Sequence, residues 1–184
     1  MSLRPFHLLS AAAMLLAPAA AARADMLSLS VAARASQDIG TTFVTGTESG
    51  PGGGIGVRAS FGDDSVRWEP ELSVDIAGFS GEGDGDHIVQ GTLLISRRAF
   101  FFYDDAGGRP WWSIGTGVGG VWGPRGGAAF PIRVAIGVSL ATDSSLGLEA
   151  SIFNRFTLVS IGGDSGGSGY INSTGVEIAV RFGR

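Results

Sequence analysis

The segment that most constrains the fold of this chain is its last one, Tyr170 to Phe182. From Val176 onward, apolar residues alternate strictly with smaller or charged ones, so Val176 and Phe182 share a face that excludes Glu177 and Arg181. A period of two is typical of a β-strand. A strand with one oily and one charged face suits a sheet whose exterior meets lipid. A closed barrel in a bilayer fits this pattern, because closure leaves no unpaired backbone edge in hydrocarbon.

The start of the chain has the features of an export signal. Arg4 and His7 precede a short apolar run that ends in Ala22-Arg23-Ala24. A positive start, a short apolar stretch and a small-residue cleavage site are typical of a secretory signal peptide. The run has about 15 residues, fewer than the roughly 20 that a spanning helix needs. We therefore expect residues 1–24 to be a cleaved signal peptide and residues 25–184 to form a single β-barrel domain.

Composition argues against several classes of function. The chain has no Cys, which removes disulfides, thiol catalysis and thiolate metal sites. Its basic residues are all Arg, and its formal net charge is −4. A nucleic-acid-binding protein would carry a basic stripe instead. The sequence predicts neither a nucleic-acid partner nor a cofactor.

Eight segments of the mature chain alternate in the manner of the last one. The connections after the first, third, fifth and seventh are expected to be longer than the others. That asymmetry is typical of a bacterial outer-membrane barrel, with short periplasmic turns and longer extracellular loops. We therefore predict an all-β, eight-stranded antiparallel up-and-down transmembrane barrel with both termini on the periplasmic side. The segments are Met26–Ser36, Gly54–Gly62, Val66–Gly78, His87–Tyr103 (with a bulge expected at Arg97-Arg98-Ala99), Trp111–Val121, Phe130–Ala141, Ser145–Phe156 and Tyr170–Phe182.

The faces opposite the apolar ones carry charges of both signs in equal number. Eight strands enclose only enough space for side chains to fill, and a buried charge is costly unless it is paired. We therefore predict a packed, mutually neutralising interior rather than a conducting channel. Small residues such as Gly56 and Gly117 are expected to leave room for the Arg side chains. The predicted interior charge network is Arg34, Arg58, Glu69, Glu71, Asp75, Arg98, Arg133, Glu149, Glu177 and Arg181.

Aromatic residues cluster near the strand ends that are expected at the periplasmic side. Aromatic rings favour the headgroup layer of a bilayer, where they form girdles around a barrel. The alternative is that some of them belong to the core of a soluble barrel. The predicted girdle consists of Phe61, Trp68, Phe101, Tyr103, Trp111, Trp112 and Phe182.

Two stretches and the leader give the chain a resemblance to a known family. The stretches are Arg109 to Gly119 (RPWWSIGTGVG) and Gly175 to Phe182 (GVEIAVRF). With them, the chain resembles the small eight-stranded outer-membrane β-barrels of the opacity-protein and OmpA-transmembrane-domain kind. The resemblance implies a bacterial outer-membrane location after export, with outer-membrane lipid and lipopolysaccharide as surroundings. It also implies that the barrel-assembly machinery recognises the closing strand. One departure is that Gly183 and Arg184 follow the last aromatic residue. The residues that look like the assembly signal are Gly175, Ile178, Val180 and Phe182.

A second resemblance would imply chemistry. Lipid A deacylases are also eight-stranded and carry His-x-Ser-Asn in the penultimate strand, and the comparable stretch here is Ser151-Ile152-Phe153-Asn154. Only the Asn matches. A hydroxyl nucleophile needs an adjacent base, whereas His87 lies far away in the fourth segment. A lipid A or phospholipid acyl hydrolase would have to use Ser151 with Glu149 or Glu177.

Two other features of the chain are weaker candidates. Glu82, Asp84 and Asp86 alternate with Gly and could hold a divalent cation or bridge it to lipopolysaccharide phosphates. A solvated acidic loop is the interpretation that the sequence favours. The Gly- and Ser-rich segment Thr157–Gly169 is expected to be an extracellular loop whose partner the sequence does not name.

The sequence thus favours a non-enzymatic outer-membrane barrel with a structural role or a surface-interaction role such as adhesion. The acyl hydrolase is one alternative. A soluble periplasmic ligand-binding barrel of the lipocalin type is another, and it would turn the apolar face inward. The orientation of Ile178 and Val180 relative to Glu177 and Arg181 distinguishes the barrel types.

Overall fold

The computed structural model describes residues 28–43, 49–62, 68–81, 87–101, 108–123, 126–141, 146–161 and 167–183. Each range holds one strand: β1 Ser28–Phe43, β2 Ser49–Gly62, β3 Trp68–Gly81, β4 His87–Phe100, β5 Arg109–Trp122, β6 Gly127–Ala141, β7 Leu146–Ile161 and β8 Gly167–Phe182. Within these ranges no helix is both long and apolar enough to cross a membrane. The predicted leader, Tyr103 and the acidic group Glu82, Asp84 and Asp86 lie outside the described residues.

The eight strands form one closed barrel in chain order. Each strand is antiparallel to its neighbours, and β1 closes the sheet against β8 in a ladder from Val31–Phe182 to Phe43–Ile171. The predicted all-β, eight-stranded up-and-down barrel is confirmed. Because the strand number is even, β1 begins and β8 ends at the same rim, which we call the lower rim. The upper rim is the opposite end, where β1, β3, β5 and β7 end.

The strands are longer than the sequence indicated. They run for 14 to 16 residues, against the roughly 9–11 that cross a bilayer. Much of the two expected long connections, Gln37 to Gly53 and Thr157 to Gly169, is strand, because Gly, Ser and Thr residues also pair through their backbones. The expected contrast in connection length is therefore not found at the strand ends: five residues follow β1, but eight separate β4 from β5.

The register of β4 tests the bulge that was predicted in the fourth segment. Its ladders to β3 and β5 run without interruption through Arg97, Arg98 and Ala99, so the predicted bulge there is wrong. Uninterrupted pairing keeps Arg98 inside the barrel and Arg97 outside. Register shifts occur instead in β1, between Asp38 and Gly40, and in β2, between Ser49 and Gly52.

Candidate functional site

The exterior of the barrel is predominantly apolar. Ile178 is 64% exposed and Ile152 is 57% exposed, whereas Glu177, between Val176 and Ile178, is buried. The lipocalin-type alternative required the opposite orientation and is therefore wrong for this barrel. The alternation places the following large apolar side chains on the exposed side: Ile55, Leu72, Val74, Ile76, Leu93, Ile95, Ile114, Val118, Ile132, Val134, Ile136, Leu140 and Leu148.

Four charged residues form a closed ring across the lower half of the interior. Arg98 binds the Glu149 carboxylate through two bonds, Nη1–Oε1 at 2.9 Å and Nη2–Oε2 at 3.0 Å, and its Nε lies 2.8 Å from Glu71 Oε1. Arg58 completes the ring, with Nε 3.3 Å from Glu71 Oε1 and a direct contact from Nη2 to Glu149. We call these four residues the ion-pair ring. Each charge in it has two neighbours of opposite sign, which offsets the cost of removing four ions from water.

The ion-pair ring ties opposite walls of the barrel together. Arg58, Glu71 and Arg98 belong to the consecutive strands β2, β3 and β4, whereas Glu149 comes from β7, on the far side. Ser139 of β6 donates to Glu149 Oε1 at 2.9 Å. These contacts cross the lumen and connect β7 with β2 and β4 on the opposite wall.

A second charged chain lies above the ring. Arg34 contacts Asp75, with Nε 2.8 Å from Oδ1, and its Nη1 lies 3.6 Å from Glu177 Oε2. Arg133 Nη2 donates to the same Glu177 oxygen at 2.9 Å. The alternating order Asp75, Arg34, Glu177, Arg133 joins strands β3, β1, β8 and β6 across the lumen.

Interior aromatic rings pack against the guanidinium groups. Trp111 was predicted to join the exterior girdle, but its side chain is only 1% exposed, and Arg98 lies 4.2 Å from its ring centroid. The girdle prediction for Trp111 is wrong, because the strand alternation that puts Trp112 outside must turn Trp111 inward. Phe153 packs against Arg133 in the same way, with the guanidinium carbon 4.9 Å from the centroid of the ring. The aromatic faces stabilise buried cations through cation–π attraction.

An apolar cluster fills the interior near the upper rim. It contains Val121, Ala129, Val159 and Ile171, with Ile88 packed against it. A small cavity near Arg34, Arg133 and Phe153 has a volume of about 10 Å³, which is the lower limit for one water molecule. The interior is thus a packed core of ions, aromatic rings and aliphatic side chains.

The structure places nine of the ten predicted interior charges in buried positions, and Arg181 is half-buried near the lower rim. Glu69 is buried and lies opposite Arg98 in the ladder between β3 and β4. Sequence analysis missed Asp38 and Arg155, which form a further interior pair with 3.9 Å between Nη2 and Oδ1. Continuing the β7 alternation from Glu149 through Phe153 would have found Arg155. Asp38 was hidden because its segment was interpreted as a loop.

The other residues predicted for the aromatic girdle differ in their position. Phe61, Phe101 and Phe182 are exposed near the lower rim, and Trp112 is half-buried there. The side chains of Trp68 and Tyr103 lie outside the described residues. Sequence analysis missed a second group of exterior aromatics towards the upper rim. This group comprises Trp122, Phe130, Phe156 and Tyr170, with ring centroids of the last two 5.2 Å apart.

The residues proposed for acyl hydrolysis do not face the exterior of the barrel. Ser151 is buried and lies opposite Glu177 on β8, and Glu149 is held in the ion-pair ring. The same alternation puts Asn154 on the exterior. His87 is exposed at the start of β4, near the upper rim. The hydroxyl of Ser151 and the carboxylates of Glu149 and Glu177 therefore lie in the interior of the barrel.

Among the described residues, no group of three or more His, Cys, Asp and Glu side chains is arranged to hold a metal ion. In the closing strand, Gly175 is buried, Ile178 and Phe182 are exposed, and Val180 is half-buried.

The interior glycines have two different tasks. A Cβ on Gly56 would lie 2.0 Å from Asp75 Oδ1, 2.9 Å from Arg34 Nε and 2.8 Å from the Val74 carbonyl oxygen, so this glycine makes room for an ion pair as well as for the neighbouring backbone. A Cβ on Gly117 would instead lie 1.9 Å from the Leu93 carbonyl oxygen. The absence of a side chain at Gly117 therefore allows the backbone of the neighbouring strand to approach closely, and it does not make room for an Arg side chain.

A substitution tests the role of Gly56. We expect Gly56→Ala to lower the free energy of unfolding by about 1–3 kcal/mol, because the methyl group displaces the Arg34–Asp75 pair and crowds the Val74 carbonyl oxygen. Gly78→Ala is the matched control, since a Cβ there meets nothing within 4 Å. Denaturant unfolding in detergent micelles measures both, and equal stabilities of the two variants would contradict this assignment.

Comparisons with known proteins agree with this architecture. No protein-family model matches the sequence, and no curated protein matches it. The outer membrane protein OprG from Pseudomonas aeruginosa is similar in structure, with a TM-score of 0.58 at 11% identity, covering 86% of this chain and 96% of that one. Neisserial surface protein A also has a TM-score of 0.58, at 13% identity over 85% of this chain and 96% of its own. The chain therefore has the fold of the small eight-stranded outer-membrane β-barrels.

Proposed function

We propose that this protein is a non-enzymatic barrel of the bacterial outer membrane, with a structural or surface-interaction role. The observation that carries the proposal is the inverted distribution of side chains: Ile and Val side chains cover the outside, while Arg58, Arg98, Glu71 and Glu149 are buried in the centre. A water-soluble barrel would expose its ions and bury its aliphatic residues. Only a hydrocarbon solvent makes the observed arrangement favourable.

The barrel dimensions support the membrane assignment. Strands of this length, at about 3.3 Å per residue and a tilt of about 40°, give a barrel roughly 35–40 Å tall. That height exceeds the apolar band of about 25 Å in such proteins. The strands would then extend beyond the bilayer, with the termini and the lower rim in the periplasm and the upper rim outside the cell. The outer rim would meet lipopolysaccharide and any surface partner.

The closing strand supports a role in assembly. In this proposal the barrel-assembly machinery recognises the closing strand during insertion, through the residues Gly175, Ile178, Val180 and Phe182. Export by a signal peptide comprising residues 1–24 belongs to the same proposal. An adhesive role would place its contacts at the upper rim, where His87 and Trp122 are exposed.

Cell fractionation tests the proposal. The full chain, including its leader, is expressed in a Gram-negative host. We expect the protein to be found in the outer-membrane fraction and to resist extraction with alkaline carbonate. Extraction with detergent should release it. Recovery as a soluble periplasmic protein would overturn the membrane assignment.

The packed interior predicts the absence of a pore. Purified protein reconstituted into a planar bilayer is expected to give no stepwise ion current at neutral pH, because the ion-pair ring and the upper apolar cluster fill the lumen. A larger porin, reconstituted in parallel, is the positive control. A reproducible open state of defined conductance would contradict the sealed interior.

A further inference from the structure

A group of polar side chains interrupts the apolar exterior on three neighbouring strands. It consists of Gln37 on β1, Asn154 on β7, and Asn172 and Thr174 on β8, and we call it the polar wall patch. Gln37, Asn154 and Thr174 are exposed, and Asn172 is half-buried. Because β8 lies between β7 and β1 in the closed sheet, the four side chains lie on one wall of the barrel.

The polar wall patch lies within the apolar band rather than at its edge. On the outer face of β7, Asn154 has Ile152 on one side and, beyond Phe156, Leu158, which is 50% exposed. Asn154 is eight residues above Leu146 at the lower rim, a height of about 20 Å on a strand tilted by about 40°. Polar side chains at such a depth are costly unless another polar group meets them.

The patch is held in a defined arrangement by hydrogen bonds. Asn154 Nδ2 donates to Asn172 Oδ1 at 3.0 Å and to Thr174 Oγ1 at 2.9 Å. Gln37 Nε2 donates to the Gly52 carbonyl oxygen at 2.7 Å. These bonds use amide hydrogens of Asn154 and Gln37 and the carbonyl oxygen of Asn172, whereas the Asn154 and Gln37 side chains also carry carbonyl acceptors, and the Asn172 amide and the Thr174 hydroxyl carry donor hydrogens. The patch therefore presents both kinds of hydrogen-bonding group to the outside.

We propose that the polar wall patch is the surface on which a second copy of this chain docks within the membrane. Acyl chains offer no hydrogen bonds, and lipid headgroups lie at the edges of the band. A second copy supplies donors and acceptors that complement the first, because amides and hydroxyls are self-complementary. This inference rests on the membrane location proposed above.

The register of the strands fits a two-fold axis along the membrane normal through β8. Thr174 would lie near the axis and face the same residue of the second copy, since a two-fold interface is isologous. Asn154 pairs with Thr174, and Gln37 pairs with Val176, two residues nearer the lower rim. Because the strands are tilted, residues paired across neighbouring strands lie at different depths in the membrane, and the two-residue offset compensates for this difference. The side-chain amides of Asn154 and Gln37 therefore lie at nearly equal depth on either side of the axis. Asn154 of each copy then faces Gln37 of the other.

Small side chains lie beside the patch towards the lower rim. Ala33 and Ala35 on β1 and Ala150 on β7 are exposed on the same wall. Small residues let two membrane-embedded surfaces approach closely enough for polar side chains to meet. Ala35 and Ala150 both lie opposite Ile178 of β8, which is 64% exposed, so small side chains flank this protruding one on both sides and leave room for a second copy there.

Cysteine cross-linking tests the geometry directly, because the natural chain has no Cys. Thr174→Cys in lipid vesicles of low protein density is expected to form disulfide dimers at least about tenfold faster than Thr116→Cys, since a specific contact raises the local thiol concentration. Thr116 is the matched control, an exposed Thr on β5 of the opposite wall. Mixed Asn154→Cys and Gln37→Cys proteins should cross-link to each other faster than either does to itself. Equal rates for Thr174→Cys and Thr116→Cys would overturn the proposal.

A loss-of-contact variant provides an independent measurement. Asn154→Leu combined with Thr174→Val is expected to weaken dimerisation by about tenfold or more, measured by energy transfer between labelled copies in vesicles. Thr116→Val should leave it unchanged. Membrane-inserted protein that stays monomeric would overturn only this inference, whereas protein absent from the membrane fraction would overturn the proposed function itself.

Discussion

Replacing Arg98 by Leu is expected to lower the free energy of unfolding by about 3–5 kcal/mol, because it leaves Glu71 and Glu149 buried with half of their positive neighbours removed. Arg98 has no solvent exposure and contacts both carboxylates. It also lies over the Trp111 ring, so the substitution removes a cation–π contact as well. Urea unfolding in detergent micelles, followed by tryptophan fluorescence, measures the loss.

The neighbouring residue provides a matched control. Arg97 adjoins Arg98 on the same strand but faces the exterior, so Arg97→Leu, which places an apolar group on the outer wall, should cause no comparable loss. A double-mutant cycle of Arg98→Leu with Glu149→Leu should give a coupling energy of about 0.5–3 kcal/mol. Similar losses for the two arginine variants would mean that the ion-pair ring does not stabilise the barrel.

Replacing Ile152 by Arg is expected to cost about 2–4 kcal/mol in a lipid bilayer, because a cation near the middle of the hydrocarbon is poorly solvated. Ile152 is exposed on the outer face of β7, about midway along the apolar band. Ser160→Arg, on the same face of the same strand but near the upper rim, should cost no more than about 1 kcal/mol. Folding titrations into phospholipid vesicles compare the two variants.

The dependence of the arginine cost on the position along the strand distinguishes a membrane barrel from a soluble one. On a water-exposed surface, Arg at either position would be tolerated, since exposed substitutions usually change stability by about 0.5 kcal/mol or less. Equal and small effects for Ile152→Arg and Ser160→Arg would therefore contradict the lipid-facing assignment. A large cost confined to Ile152→Arg would support it.

Local alternation was enough to predict the strands and the inner and outer faces of most of them. The period of two in β8 separates Glu177 from Ile178 without any tertiary information, because successive side chains on a strand point to opposite faces. The same reasoning failed where the pattern was weak. The Gly- and Thr-rich ends of β1 and β2 lack apolar alternation, so the strand there becomes visible only through its backbone partners.

The sequence by itself determined the fold class, the outward direction of the Ile and Val side chains, and the inward placement of balanced charges, since these follow from strand geometry and from the cost of exposing backbone to hydrocarbon. Tertiary structure alone decided which charges meet. Glu149 joins Arg58 and Arg98 because closing the sheet brings β7 across from β2 and β4. Closure likewise decided that Asn154, Thr174 and Gln37 share one wall, because β1 and β8, the two ends of the barrel sequence, become neighbours only in the closed sheet.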